Sequence, residues 1–352
     1  MKKNIRSIIL VVLILIISLS LVACNKSSSV NNNINSKDNQ SIKIDEKNTD
    51  DSSSVKELRI VTTYKPATNI VLALGGVKNL VGANDSALKD KLINSLDSTA
   101  KDRILEIGSK KHGINIEEVV SLKPDLVIMF PTKDTDETVK KLENQGIKVV
   151  SIYPENIELL QNEILNIANA MGKKETGEKL VKYFNDKLEF IDSKIKNISE
   201  EDRKTIYLAG ARGILSTSAG TFYQHELMER AGGIDVAGKL KGGWNEVSIE
   251  QLLKWNPDVI TSIMYTPKGT PKEILSNGKL SKISAIINKE VYQMPSNIEP
   301  WDMPEPSSIL GMLWLSKTLY PNEFTDYDFS QDVDSFYKEF YGKSFKELGG
   351  KL

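Results

Sequence analysis

A run of 13 residues recurs in this chain at a fixed distance, which limits what the chain can fold into. Ile116-Glu117-Glu118-Val119-Val120-Ser121-Leu122-Lys123-Pro124-Asp125-Leu126-Val127-Ile128 matches Ile249-Glu250-Gln251-Leu252-Leu253-Lys254-Trp255-Asn256-Pro257-Asp258-Val259-Ile260-Thr261 at a constant offset of 133 residues. Each copy reads as a short amphipathic helix, a Pro-Asp stop and a buried strand. Proline cannot continue a helix and drives the residue before it out of the helical region. Two copies of one unit imply two halves of one topology, and 352 residues are too many for a single compact core.

Around the repeat, strands and helices alternate, the pattern of an α/β fold with largely parallel sheets. Strands are expected at 59–62, 80–83, 125–130 and 148–152, then at 205–209, 258–263 and 291–294. Helical patterns lie at 67–74, 116–122 and 249–254. Between the halves, Leu160, Ile164, Ile167 and Met171 keep a helical spacing, and Gly172 interrupts it. Leu180, Phe184, Leu188, Ile191 and Ile195 then form a narrow apolar stripe on a charged helix. A helix over 173–197 would run about 37 Å, long enough to bridge two domains or to lie along one. With the repeat, the simplest architecture is two doubly wound α/β lobes, 57–172 and 198–352. A single long helix bridges them, with a ligand cleft between the lobes.

The N-terminus sets the compartment. Lys2, Lys3 and Arg6 precede an apolar run from Ile8 to Leu19, and Leu21-Val22-Ala23-Cys24 follows; Cys24 is the single cysteine. A basic start, a short apolar run and a small residue before the cut describe a secretory signal over 1–23. The run is short for a membrane span, which needs about 20 residues; an uncleaved signal anchor is the alternative reading. Leu-Val-Ala-Cys also resembles the bacterial lipobox, in which the cysteine is diacylated and becomes the mature N-terminus. Two or three acyl chains on Cys24 would hold the protein at the outer membrane leaflet. With Cys24 so used, no thiol is left for a disulfide, a metal site or a nucleophile. Residues 24–56 are Ser, Asn, Asp and Lys with almost no large apolar side chains, and they are expected to be a disordered tether. A net charge of −1 shows no basic excess, which argues against a nucleic-acid partner.

Arg59-Ile60-Val61-Thr62-Thr63-Tyr64-Lys65-Pro66-Ala67-Thr68-Asn69 with Leu72-Ala73-Leu74-Gly75-Gly76 resembles the first lobe of the iron-siderophore, haem and vitamin B12 substrate-binding proteins of ABC importers. The two copies of the repeat, around Pro124-Asp125 and Pro257-Asp258, resemble it too, and the similarity runs from about Leu58 to Tyr320. The resemblance implies two α/β lobes on one long helix, a ligand in the cleft and only modest closure. It also implies docking on a dimeric ABC permease through one acidic residue per lobe, and Glu117 and Glu250 match those positions. Such rim charges set orientation and on-rate more than affinity. Read without the resemblance, each is a solvated glutamate favoured by a helix N-terminus, and Glu118 is a nearby substitute for Glu117.

In doubly wound sheets ligands collect at the carboxyl ends of the strands, which nominates loops. Tyr64, Lys65, Lys110, Lys111 and His112 lie in such loops of the first half, and Arg212, Trp244, Tyr265 and Trp301 in those of the second. Aromatic walls and cations suit a bulky, anionic, partly apolar chelate such as a ferric siderophore. Arg212, between two glycines, is the preferred anion contact. His112 offers an imidazole to a metal or haem iron, or stays solvated; His225, in the helix-like run 221–230, reads as a surface or interlobe residue. The sequence gathers no cluster of His and carboxylates for a bare ion, so a pre-chelated metal is favoured. No cofactor is expected.

The chain therefore reads as a non-catalytic, lipid-anchored receptor for a chelated metal: a ferric siderophore first, haem, a corrinoid or another metal complex after it. The rival from another class is a chelatase-like enzyme with the same bilobed plan. Against it, the sequence lacks a nucleophile elbow, a P-loop, a Rossmann glycine fingerprint and a zinc motif.

Overall fold

The computed structural model describes residues 57–109, 113–132, 135–265 and 267–352. The leader, Cys24, the tether and the loop residues Lys110, Lys111 and His112 lie outside the described residues.

Two separate parallel sheets carry the fold. The first contains β1 (Ile60–Thr62), β2 (Leu80–Ala83), β3 (Leu105–Glu106), β4 (Leu126–Met129) and β5 (Lys148–Ser151), in the order β3-β2-β1-β4-β5. The second contains β6 (Thr205–Ala209), β7 (Ile234–Asp235), β8 (Val259–Ser262) and β9 (Val291–Gln293), in the order β7-β6-β8-β9. Read from β2 and from β7, the two sheets share one winding: β2-β1-β4-β5 against β7-β6-β8-β9. Their inner strands are buried on both faces, as a parallel sheet covered by helices must be. Among the helices around these sheets are α1 (Lys65–Ala73), α2 (Ile116–Ser121), α3 (Ile157–Ala170), α4 (Lys174–Ile195), α5 (Tyr223–Arg230), α6 (Ile249–Trp255), α7 (Ser308–Leu319) and α8 (Phe329–Tyr341).

The repeat is built the same way in both sheets. Asn115 caps α2 by accepting from Glu118 N at 3.1 Å, and Ser248 caps α6 by accepting from Gln251 N at 3.1 Å. Each helix then ends through a left-handed residue, Lys123 at φ +46° and Asn256 at φ +44°. That conformation turns the chain sharply enough for the next strand, β4 or β8, to start at once.

Helix α4 runs uninterrupted for 22 residues, about 33 Å at the α-helical rise. It packs on α3 from the first half and on α5 and α7 from the second. Its buried stripe is Leu180, Phe184, Leu188 and Ile191, with Gly177 where Ala168 of α3 presses close. One hydrophobic core runs from Ile60 and Leu126 of the first sheet through α1, α3, α4, α5, α7 and α8 to Ile206 and Val259 of the second. Two smaller clusters, around Val119 and Val127 and around Leu252 and Ile260, seal the outer faces under α2 and α6. A shared core of this kind ties the halves together by buried apolar area. Among the described residues, no helix is long and apolar enough to cross a membrane.

Candidate functional site

The carboxyl ends of β1, β4 and β5 lie side by side and each carries an aromatic residue. Tyr64, Phe130 and Tyr153 form a tier, with ring centroids 4.8 Å apart for Tyr64–Phe130 and 5.3 Å for Phe130–Tyr153. Those steps match the spacing of neighbouring strands, about 4.8 Å, so the sheet itself spaces the rings. Tyr153 is half exposed and Phe130 half-buried, leaving the tier open on one side. Thr62 and Thr68 share a 2.7 Å hydroxyl hydrogen bond that ties the end of β1 to α1, and Tyr64 sits in extended conformation just before Lys65 and Pro66 open the helix.

Lys65 is mostly covered and meets Asp90 at 2.7 Å. Burial pulls its ammonium down, but Glu305 and Asp90 outweigh that and hold it above the ordinary lysine range. Burial, with Glu155 and Glu305 nearby, likewise pushes the Tyr64 hydroxyl up.

From the second sheet, β8 ends in Ile263-Met264-Tyr265. Tyr265 is 41% exposed while its hydroxyl turns inward, donating to Asp302 Oδ2 at 3.1 Å. Burial raises the Asp302 carboxyl to about 6 against the opposing pull of that hydrogen bond. The structure thus gathers Tyr64 and Lys65 from one half and Tyr265 from the other around the segment 299–305, whose carboxylates act on all three.

Trp244 and Arg212 lie on the rim of the second half. Trp244 packs against Gly210, where a Cβ would come within 2.3 Å of the indole, and meets Phe222 edge-on at 6.0 Å. Arg212 is exposed, with Nε 3.4 Å from Glu246 Oε1, a solvent-screened contact that leaves its guanidinium accessible. Trp301, expected from its loop to contact ligand, is fully enclosed instead: its ring packs on Phe329 and Phe345 and its Nε1 donates to Tyr337 OH at 3.0 Å. Gly311 lets α7 pass close to the Trp301 backbone, where a Cβ would come within 2.4 Å of the Trp301 carbonyl oxygen. Trp301 supports the site from behind. His225 lies on α5 with Nδ1 2.9 Å from the buried Asp235.

Glu117 and Glu250 occupy equivalent exposed places in the first turns of α2 and α6. Glu118 is half-buried. Hydrogen bonds from the helix N-terminus and Ser248 hold the Glu250 carboxyl below the usual range.

Several residues around the site escape a reading of the sequence. Asn69, Asp90, Gln224 and Glu305 stand directly behind it, and Tyr153 completes the aromatic tier. One signal was available: three acids, Glu299, Asp302 and Glu305, fall within seven residues of a proline-rich, apolar stretch. A recess of about 630 Å³ is lined by Asp90 with Asp85, Glu106, Lys89, Lys91 and Lys101 and has no aromatic wall. It lacks the chemistry of the tier. Among the described residues, no group of three or more His, Cys, Asp or Glu is placed to hold a metal ion.

Known proteins share this architecture. The chain is 28% identical over 309 residues to the molybdate-binding protein MolA of Haemophilus influenzae, covering 82% of this chain and 87% of MolA. The solved molybdate-bound MolA superposes with a TM-score of 0.71. A periplasmic solute binding protein from Veillonella parvula superposes at 0.75, with 28% identity over 84% of this chain and 92% of that one. The Bacillus subtilis ABC transporter substrate-binding lipoprotein YvrC is 25% identical over 81% of this chain and 87% of its own length. The model of the periplasmic binding protein family matches residues 60–298, from the first strand to the edge of the acidic segment, and the chain belongs to that family.

Proposed function

We propose that this protein is the lipid-anchored solute receptor of an ABC importer and that its ligand is a small metal-containing solute, a ferric siderophore foremost. The observation that carries the ligand class is the tier Tyr64–Phe130–Tyr153, open on one side, with Tyr265 of the second half acted on by the same Glu305 as Tyr64. Flat aromatic surface suits a bulky chelate with an apolar face, and the exposed Arg212 suits its negative charge. Haem and corrinoids share that chemistry in part. Capture by lobes on one shared core fits a pre-organised crevice with small closure. Glu117 and Glu250 would meet the two permease subunits, and acylated Cys24 would keep the receptor at the membrane; the kinship with a substrate-binding lipoprotein supports this placement.

A second reading, a tetrahedral metal oxyanion, is favoured by the kinship with MolA. An oxyanion needs hydrogen-bond donors rather than area, and the hydroxyls of Tyr64 and Tyr153 with Arg212 are the candidates. Titration of tryptophan emission with a ferric catecholate siderophore, haem, cobalamin, nickel and molybdate separates these readings. Saturable quenching by the siderophore alone supports the first, and a response to molybdate alone replaces it with the second. Silence toward all five, with normal uptake in a deletion strain, removes the receptor reading.

A further inference from the structure

One buried contact between the halves is polar. Asn69 of α1 is 1% exposed, and its Nδ2 donates to Glu305 Oε2 at 2.7 Å and to Glu299 Oε2 at 3.2 Å, partners 236 and 230 residues away. Glu299 and Glu305 are 1% and 0% exposed. Tyr337 of α8 donates to Glu299 Oε1 at 2.8 Å. Among the described residues no group donates to Glu305 Oε1, although that atom is buried.

The charges facing this pair come from every element packed on it. Lys65 opens α1, Asp90 caps the short helix Lys91–Leu96, and Asp302 lies in the segment itself. Tyr64 before α1, Tyr223 of α5, Tyr265 after β8 and Tyr337 and Tyr341 of α8 are neutral hydroxyls. Lys65 is the one cation among them, and it is engaged by Asp90 at 2.7 Å. No described lysine, arginine or histidine makes a salt bridge with Glu299, Asp302 or Glu305. Burying a set of unpaired carboxylates costs far more than keeping a proton on one of them.

We propose that Glu299 and Glu305 hold a proton between them at neutral pH and that this proton, with the Asn69 amide, forms a clasp between the two halves of the chain. With the proton present, Asn69 meets one neutral and one charged acceptor, and α1 is drawn onto the 299–305 segment. Loss of the proton sets two carboxylates against each other around one amide, and the clasp loosens at the helix that presents Tyr64 and Lys65. The clasp does not depend on which solute the crevice takes.

The test uses the full chain without ligand. Infrared spectra at about pH 7, with ¹³C-glutamate labelling to separate Glu from Asp302, should show the carbonyl stretch of a protonated glutamic acid. The band should weaken in Glu299→Gln or Glu305→Gln and fade as pH rises. A carboxyl raised by burial contributes stability that is full below the ordinary glutamate range and is lost as pH rises through its raised value. Thermal unfolding of the wild type between about pH 5 and about pH 9 should therefore show a Tm that declines through neutrality, with about half that slope or less in Glu305→Gln. Absence of a protonated-glutamate band in the wild type at about pH 7, or equal slopes in wild type and variant, overturns the clasp. The wild-type band decides alone if neither variant folds.

Discussion

Asp125 and Asp258 make the same hydrogen bond in two different sheets. Each accepts at 2.9 Å from a backbone N–H at the start of the neighbouring inner strand, that of Arg59 just before β1 in the first half and of Thr205 opening β6 in the second. Their own N–H groups donate back to the carbonyls of Arg59 and Thr205. The aspartate of each Pro-Asp stop thus fixes the register of two central strands, which explains why this dipeptide recurs with the helix and strand around it.

The first prediction tests that role. Asp258→Ala leaves Thr205 without an acceptor for its N–H and for its hydroxyl, which donates at 2.8 Å. Stability should drop by roughly 1–3 kcal/mol in urea unfolding, with partial recovery in Asp258→Asn. An unchanged midpoint would remove the register role.

Left-handed backbone at Lys123 and Asn256 gives a second. A left-handed L-residue costs about 1–2 kcal/mol, and asparagine tolerates the conformation better than lysine. Lys123→Asn should raise Tm. Asn256→Ala should lower it, since it also removes the 2.8 Å bonds to Ser284. Differential scanning calorimetry of both variants reads the two signs.

A third concerns the crevice. Tyr64→Ala and Trp244→Ala should each weaken chelate binding about tenfold, close to 1.4 kcal/mol of lost aromatic contact. Trp301→Phe should leave affinity alone and cost about 1 kcal/mol through the lost bond to Tyr337. Equal affinity losses in all three variants would mean that Trp301 reaches the ligand.

Permease docking supplies a fourth. Glu117→Ala with Glu250→Ala should leave solute affinity unchanged and abolish uptake by cells. Normal uptake would return both side chains to solvated helix ends.

The fifth is a pH effect with a defined sign. Asp302 is protonated more readily in the fold, at about 6, than in the unfolded chain. Its contribution to stability is therefore full below the ordinary aspartate value and is lost as pH rises through about 6. Asp302→Asn should be more stable than the wild type at about pH 7, with the gap closing by about pH 4. A gap that widens on acidification contradicts the buried, uncompensated carboxyl.

The fold was largely legible because its signals are local. The strands at Leu80–Ala83 and Thr205–Ala209 have the ends read from their apolar runs, and the 249–254 pattern extends by one residue to Trp255. The site was legible only in outline. The rule that ligands gather at strand ends nominated Tyr64, Lys65, Trp244 and Tyr265; the structure brings Tyr64, Lys65 and Tyr265 to the acidic segment, keeps Trp244 against Gly210, and buries Trp301 in the core. Its Nε1 found a partner in Tyr337, a residue on a helix that the sequence pattern did not single out.

Sequence alone determined the repeat, its Pro-Asp stops, the apolar stripe of α4 and the two-lobed α/β plan, because each is written in neighbours a few residues apart. Tertiary structure decided which side chains meet. Asn69 reaches Glu305 across 236 residues of chain, and nothing near either residue encodes the other. Such a pair forms because the shared core brings α1 against the 299–305 segment, where buried polar groups must find each other or hold a proton.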